Sequence, residues 1–185
     1  MALNNAVNLV PTISGTPGQI AVTQAAGSTT ATLALTSPFF NSAQPLFSAY
    51  LSSTQSNVTG NNTPYIIPFD TELFDNANNY NPVTGIFTAP VTAKYLLVTN
   101  VKWQSGGSPS TNGQVQFRTG FLFPCFFNPL VAATTTFLWS GYAIVALNSG
   151  ATARVELNSQ GGTKTASVIG DGTQRVSTFS GYLLP

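Results

Sequence analysis

Thr152-Ala153-Arg154-Val155-Glu156-Leu157 alternates without a break: Ala153, Val155 and Leu157 are apolar, and Thr152, Arg154 and Glu156 are polar. A period of two belongs to a β-strand with one face on a core and the other toward water. Residues 114–123 repeat it, with Val115, Phe117, Phe121 and Phe123 set against Gln114, Gln116 and Arg118. Between these stretches lies 136–147, nearly all apolar and closed by the turn sequence Asn148-Ser149-Gly150. Residues 93–104 likewise carry Leu, Val and aromatic residues on both faces, as expected of a strand covered on both sides.

Working outward, residues 46–52, 65–74, 85–89 and 176–184 read as further strands, with Pro90 stopping the third. Residues 53–63, 76–84, 105–113 and 160–174 are rich in Ser, Thr, Asn and Gly and read as loops. No window shows a helical stripe with caps. Roughly eight strands separated by turn signals specify an all-β sandwich or barrel. Periodicity alone leaves jelly-roll and immunoglobulin-like orders both open. The paired cysteines of antibody domains are absent, because Cys125 stands alone. It sits in the apolar run 121–127 and is expected to pack as a small hydrophobe.

Residues 1–40 read as a separate element. Residues 19–23 and 30–35 alternate around Ala26-Gly27-Ser28, a hairpin or stem segment ended by Pro38. The main domain is expected over 45–185.

Charged residues make up 6% of the 185, against about 25% in an ordinary soluble domain. The surface is therefore neutral and rich in hydroxyls and amides. A net charge of +1 puts little repulsion between copies. Lys94, Lys102, Arg118, Arg154, Lys164 and Arg175 are scattered, so no phosphate-binding cluster forms and no nucleic-acid partner is expected. The N-terminus lacks the basic and apolar regions of a signal peptide. No apolar run reaches 18 residues, so no membrane insertion is expected.

The chain has no histidine, which removes the usual nucleophilic triads and the commonest zinc ligands. Asp70, Glu72 and Asp75 lie close in sequence, but nothing sets two carboxylates at a catalytic separation, and neither an enzyme nor an organic cofactor is expected. Calcium is the metal such oxygen ligands suit, with Asp70 and Asp75 as its candidate ligands. Residues 161–164 lack the spacing of a phosphate loop. Asn57-Val58-Thr59 and Asn61-Asn62-Thr63 fit glycosylation triplets, which arise by chance in such chains. Trp103 ends a strand beside a polar loop, where it could stack on a sugar; the plainer expectation is a core or subunit-contact residue. Trp139, in the most apolar strand, is expected to be buried.

Spaced anchors run through the middle of the chain: Phe69, Asp75, Tyr80, Phe87 and Tyr95. Around them, Thr84-Gly85-Ile86-Phe87-Thr88-Ala89-Pro90, the opening Phe47-Ser48-Ala49-Tyr50-Leu51 and the closing Phe179-Ser180-Gly181-Tyr182-Leu183-Leu184 resemble the corresponding elements of the C1q family. Ala93, Leu97 and Thr99 depart from that pattern. The resemblance, over 45–185, implies a two-sheet C1q/TNF-like jelly roll assembled as a homotrimer with an apolar axis, and makes Asp75 a turn anchor. Apolar residues on both faces of 93–104 and 136–147 point the same way, since an uncovered face of that kind is an aggregation hazard. Residues 1–40 resemble trimeric fibre segments of phages and large DNA viruses. The expected role is a viral or phage fibre head at the virion surface or outside the cell, binding a host-surface glycan or protein. The alternatives are a capsid or coat shell component and a secreted C1q/TNF-like ligand or lectin.

Overall fold

A computed structural model describes residues 20–23, 32–35, 44–105, 112–129, 136–162 and 166–184, and for 20–23, 32–35 and 122–129 the backbone alone. The chain divides into two units, Met1–Asn41 and Ser42–Pro185. In the first, β1 (Ile20–Thr23) pairs antiparallel with β2 (Thr32–Leu35), Ile20 opposite Leu35. The expected turn at 26–28 and the Cys125 side chain lie outside the described residues.

The second unit is built of strands, and no helix occurs among the described residues. They are β3 (Leu46–Tyr50), β4 (Ser53–Thr59), β5 (Tyr65–Ile66), β6 (Thr71–Asp75), β7 (Tyr80–Asn81), β8 (Ile86–Thr88), β9 (Ala93–Ser105), β10 (Asn112–Arg118), β11 (Leu122–Pro129), β12 (Thr136–Leu147), β13 (Thr152–Gln160), β14 (Ala166–Asp171) and β15 (Thr178–Leu183). One sheet runs β11–β10–β13–β8–β7, with β5 joined to β13. The other runs β4–β14–β9–β15–β3–β6, with β12 along β9. Every described pairing is antiparallel, and non-consecutive strands lie side by side, as the expected jelly roll requires.

The inward faces meet in one core. Phe47 lies at its centre, 4.9 Å from each of the rings of Tyr80, Phe87 and Phe179. Phe87 meets Tyr95 edge-on at 5.5 Å, and Phe69 and Phe117 pack on Phe179 at 5.8 and 6.1 Å. The spaced aromatics of the sequence are thus one cluster bridging both sheets, with packing geometries that add to their burial. Burial pushes the Tyr80 hydroxyl well above its ordinary pKa, and that hydroxyl donates to the Phe69 carbonyl at 3.1 Å. Two glycines of the motifs have steric reasons. Gly85, at φ +71°, turns β7 into β8, and a Cβ there would meet the Ile67 carbonyl oxygen at 2.4 Å. A Cβ on Gly181 would stand 2.6 Å from the Phe47 ring. Thr99, where the family pattern has an aromatic, is buried and donates its hydroxyl to the Thr178 carbonyl at 2.8 Å.

Three expectations need correction. Residues 53–63 and 160–174 are not simply loops: β4 and β14 form there and pair with each other. β4 lacks apolar alternation because it is mostly exposed, whereas β14 alternates only briefly, with Ala166 and Val168 entering the core. Residues 114–123 are not one strand. The chain turns at Thr119-Gly120-Phe121, with Gly120 at φ +95°, and returns as β11 alongside β10. Phe121 is at the turn and 78% exposed, so it does not share the core face of Val115 and Phe117.

Candidate functional site

β12 lies along one edge of β9 in full register, from Thr136 opposite Gln104 to Leu147 opposite Ala93. The other edge of β9 is shared by β15 and β14. Among the described residues, no strand pairs the far edge of β12. Alternation decides which side chains point where. Trp139, Val145 and Leu147 face the core, whereas Leu138, Tyr142 and Ile144 point the opposite way and are 63%, 79% and 61% exposed. Their partners across the ladder are Lys102, Val98 and Leu96. Tyr182 of β15, opposite Leu96, extends the face and is also exposed. The back of this sheet therefore carries a contiguous apolar patch of Leu96, Val98, Tyr142, Ile144 and Tyr182.

A polar band crosses that patch toward Leu138. The Ser140 hydroxyl donates to Asn100 Oδ1 at 2.5 Å, and Asn100 Nδ2 donates to the Thr178 hydroxyl at 3.2 Å. Ser48 and Ser180 join their hydroxyls at 2.8 Å on the neighbouring strands. Of the charged residues on these strands, Lys94 and Lys102 stand toward the ends of the ladder, opposite Ala146 and Leu138. The centre is thus uncharged and largely apolar, with the Ser140, Asn100 and Thr178 side chains engaged with one another and the rings of Tyr142 and Tyr182 turned outward. The apolar part of such a surface gains free energy by leaving water.

The back of the opposite sheet differs. Glu156 is nearly buried there, accepting from Gln116 Nε2 at 2.9 Å and from Arg154 Nε at 2.8 Å. Period-two alternation places these residues outward, but nothing in it signals that the carboxylate is shielded by its own neighbours.

The residues singled out in the sequence fall as follows. Trp103 is fully buried, 5.1 Å from the Phe137 ring and 5.4 Å from that of Trp139, so it offers no face to a sugar. Its strand continues to Ser105, and the inward side of β9 carries it into the core. Trp139 is buried beside it. Asp70 accepts from the Ser52 amide at 2.8 Å and the Ser52 hydroxyl at 2.9 Å. Asp75 accepts from the Ala77 and Tyr80 amides at 3.2 and 2.8 Å, holding the turn between β6 and β7. Asp70 just precedes β6 and Asp75 ends it, so five residues of chain, about 16 Å if fully extended, separate them. They are not brought together around one cation, and among the described residues no group of three metal-ligating side chains forms.

The C1q domain model matches residues 47–184. A solved structure of similar fold is the globular domain of zebrafish complement 1qA protein, 18% identical, covering 77% of this chain and 98% of that one, at a TM-score of 0.50. Murine APRIL also aligns, at 12% identity, 76% and 99% coverage and a TM-score of 0.49. The matched residues take in the aromatic cluster, Gly85 and Gly181 and span β4 to β15, and the chain belongs to the C1q domain family.

Proposed function

We propose that this chain is a homotrimeric recognition module whose β9–β12 back is the contact between copies. The single observation that carries this reading is the apolar patch of Leu96, Val98, Tyr142, Ile144 and Tyr182 on an otherwise charge-poor protein. A second copy of the chain is the occupant that suits it. The patch centre is uncharged, so copies meet without repulsion, and domains of this family generally assemble as homotrimers. Rotation about a single axis closes such a contact into a ring and leaves no patch wet.

Within that reading, the chain serves as the head of a viral or phage fibre at the virion surface, binding a host-surface glycan or protein without catalysis. The paired β1 and β2, in a unit of their own, support a stem preceding the head. Three weak sites on one rigid body multiply affinity through effective concentration, commonly by about 10²–10⁴. Binding of the full chain to host cells or a glycan array tests this. It is expected to fall by about a hundredfold or more when Tyr142→Asp separates the copies. Equal binding by separated chains would contradict it, and hundreds of copies locked in a particle shell would favour a coat component.

A further inference from the structure

On the back of β7 and β8, away from the β9–β12 patch, lies a half-open cavity of about 370 Å³. It is lined by Asn78, Asn79, Asn81, Thr84, Ile86 and Thr88, together with Tyr80. The volume falls within the range of small-molecule sites, about 300–1,000 Å³. No lining residue is charged. That disfavours phosphates, carboxylates and cations, whose binding needs countercharge. Side-chain amides and hydroxyls outnumber apolar groups, which disfavours an apolar ligand.

Asn81 Oδ1 is occupied by the Val83 and Thr84 amides at 2.9 and 3.2 Å, leaving its Nδ2 uncommitted among the described residues. Asn79 Nδ2 is shut off from solvent and has no hydrogen-bond partner. A buried unpaired donor is costly, so turning this amide toward a ligand gains a bond and breaks none. The wall itself is fixed. Asp75 accepts from the Tyr80 amide, and the Thr88 amide donates to the Asn79 carbonyl at 2.8 Å. Asn78 is held at φ +51°. A rigid wall that carries adaptable amides reduces the ordering cost of binding.

We propose that this cavity is a subsite for a neutral carbohydrate, whose hydroxyls both donate and accept. The proposal rests on the recognition-module reading and gives it a place on the molecule that a trimer contact through β9 and β12 would leave open.

Side-chain amide resonances of the ¹⁵N-labelled full chain would be followed as galactose, mannose and N-acetylglucosamine are added, with sialic acid as the charged comparator. At least one neutral sugar is expected to shift the Asn78, Asn79 and Asn81 amides saturably. Asn79→Ala should weaken that binding about three- to tenfold, the worth of one uncharged hydrogen bond. Thr88→Trp should abolish it by filling the cavity, with the sedimentation mass unchanged in both variants. Shifts confined to another surface, a preference for sialic acid, unaltered affinity in Asn79→Ala, or no response to any neutral sugar would each overturn the site. The assembly reading fails by a different result, a monomeric mass for the unmodified chain.

Discussion

The two sheets share one core but present different backs. Behind β10 and β13 stand Gln114, Gln116, Arg118, Arg154, Glu156 and Asn158. Behind β9 and β12 stand Leu96, Val98, Leu138, Tyr142 and Ile144. In the first set Gln116 and Arg154 both donate to Glu156, and Asn158 Nδ2 donates to Asn62 Oδ1 at 3.0 Å, so its carboxylate and most of its amides are held within the chain. The second gains nothing from water and is left open by the fold of a single chain. The contrast shows that two sheets sharing one core can differ in what their outer faces ask of their surroundings.

The largest expected effect concerns what the sheets share. Phe47→Ala removes a fully buried ring that touches three others, and should cost about 3–5 kcal/mol in equilibrium denaturation. Both backs would lose their support together. A loss under 1 kcal/mol would mean that the core is organised around some other side chain.

The comparison itself is broken most directly by charge. Tyr142→Asp combined with Ile144→Asp puts two carboxylates where an apolar contact is required, and should reduce the sedimenting mass to that of one chain. Gln114→Asp combined with Thr152→Asp, on the other back, should leave the mass unchanged. Equal behaviour of the two pairs would erase the distinction.

A smaller effect is expected at Glu156. Glu156→Ala removes two charge-assisted hydrogen bonds and should cost about 2 kcal/mol. The cost stays below that of a fully buried pair because Arg154 keeps access to water. The oligomeric mass should not change, which would sharpen the separation between a self-satisfied back and an assembling one.

The smallest effect is acid-dependent and belongs to neither back. Asp171, at the end of β14, accepts from the Gln174 and Thr173 amides at 2.8 and 2.7 Å, which holds its pKa below the ordinary 3.8. A carboxylate depressed by folding stabilises the native state above its unfolded pKa, and that contribution is lost as pH falls through the folded value. Asp171→Asn should therefore flatten the stability profile slightly below about pH 4. An unchanged acid limb would show that the turn does not depend on this charge.

Much of the fold was readable in the sequence because its signals are steric. Phe69, Tyr80, Phe87, Tyr95 and Phe179 are spaced by the strands they lock, and Gly85 and Gly181 are glycines because carbonyl or ring atoms stand where a Cβ would be. The apolar back was legible as an excess of grease in 136–147. The pair β4 and β14 was not: β4 is a mostly exposed edge strand that needs no apolar alternation, and β14 sends only Ala166 and Val168 into the core amid Ser, Thr and Gly residues that also write loops. Trp103 was ambiguous for a related reason: an aromatic near a polar segment looks the same whether the strand turns it in or out, and β9 turns it in. The Asn-rich cavity left one trace, the crowding of Asn76, Asn78, Asn79 and Asn81, which reads as a turn until the chain is folded. Its relation to β8 depends on a pairing across the sheet that local sequence does not encode.

Sedimentation equilibrium of the unmodified full chain tests the central claim most directly. Covering of the β9–β12 back by sister copies predicts one species at three times the 19.4 kDa chain mass, stable on dilution. A species of 19.4 kDa that stays soluble at the same concentrations would contradict it.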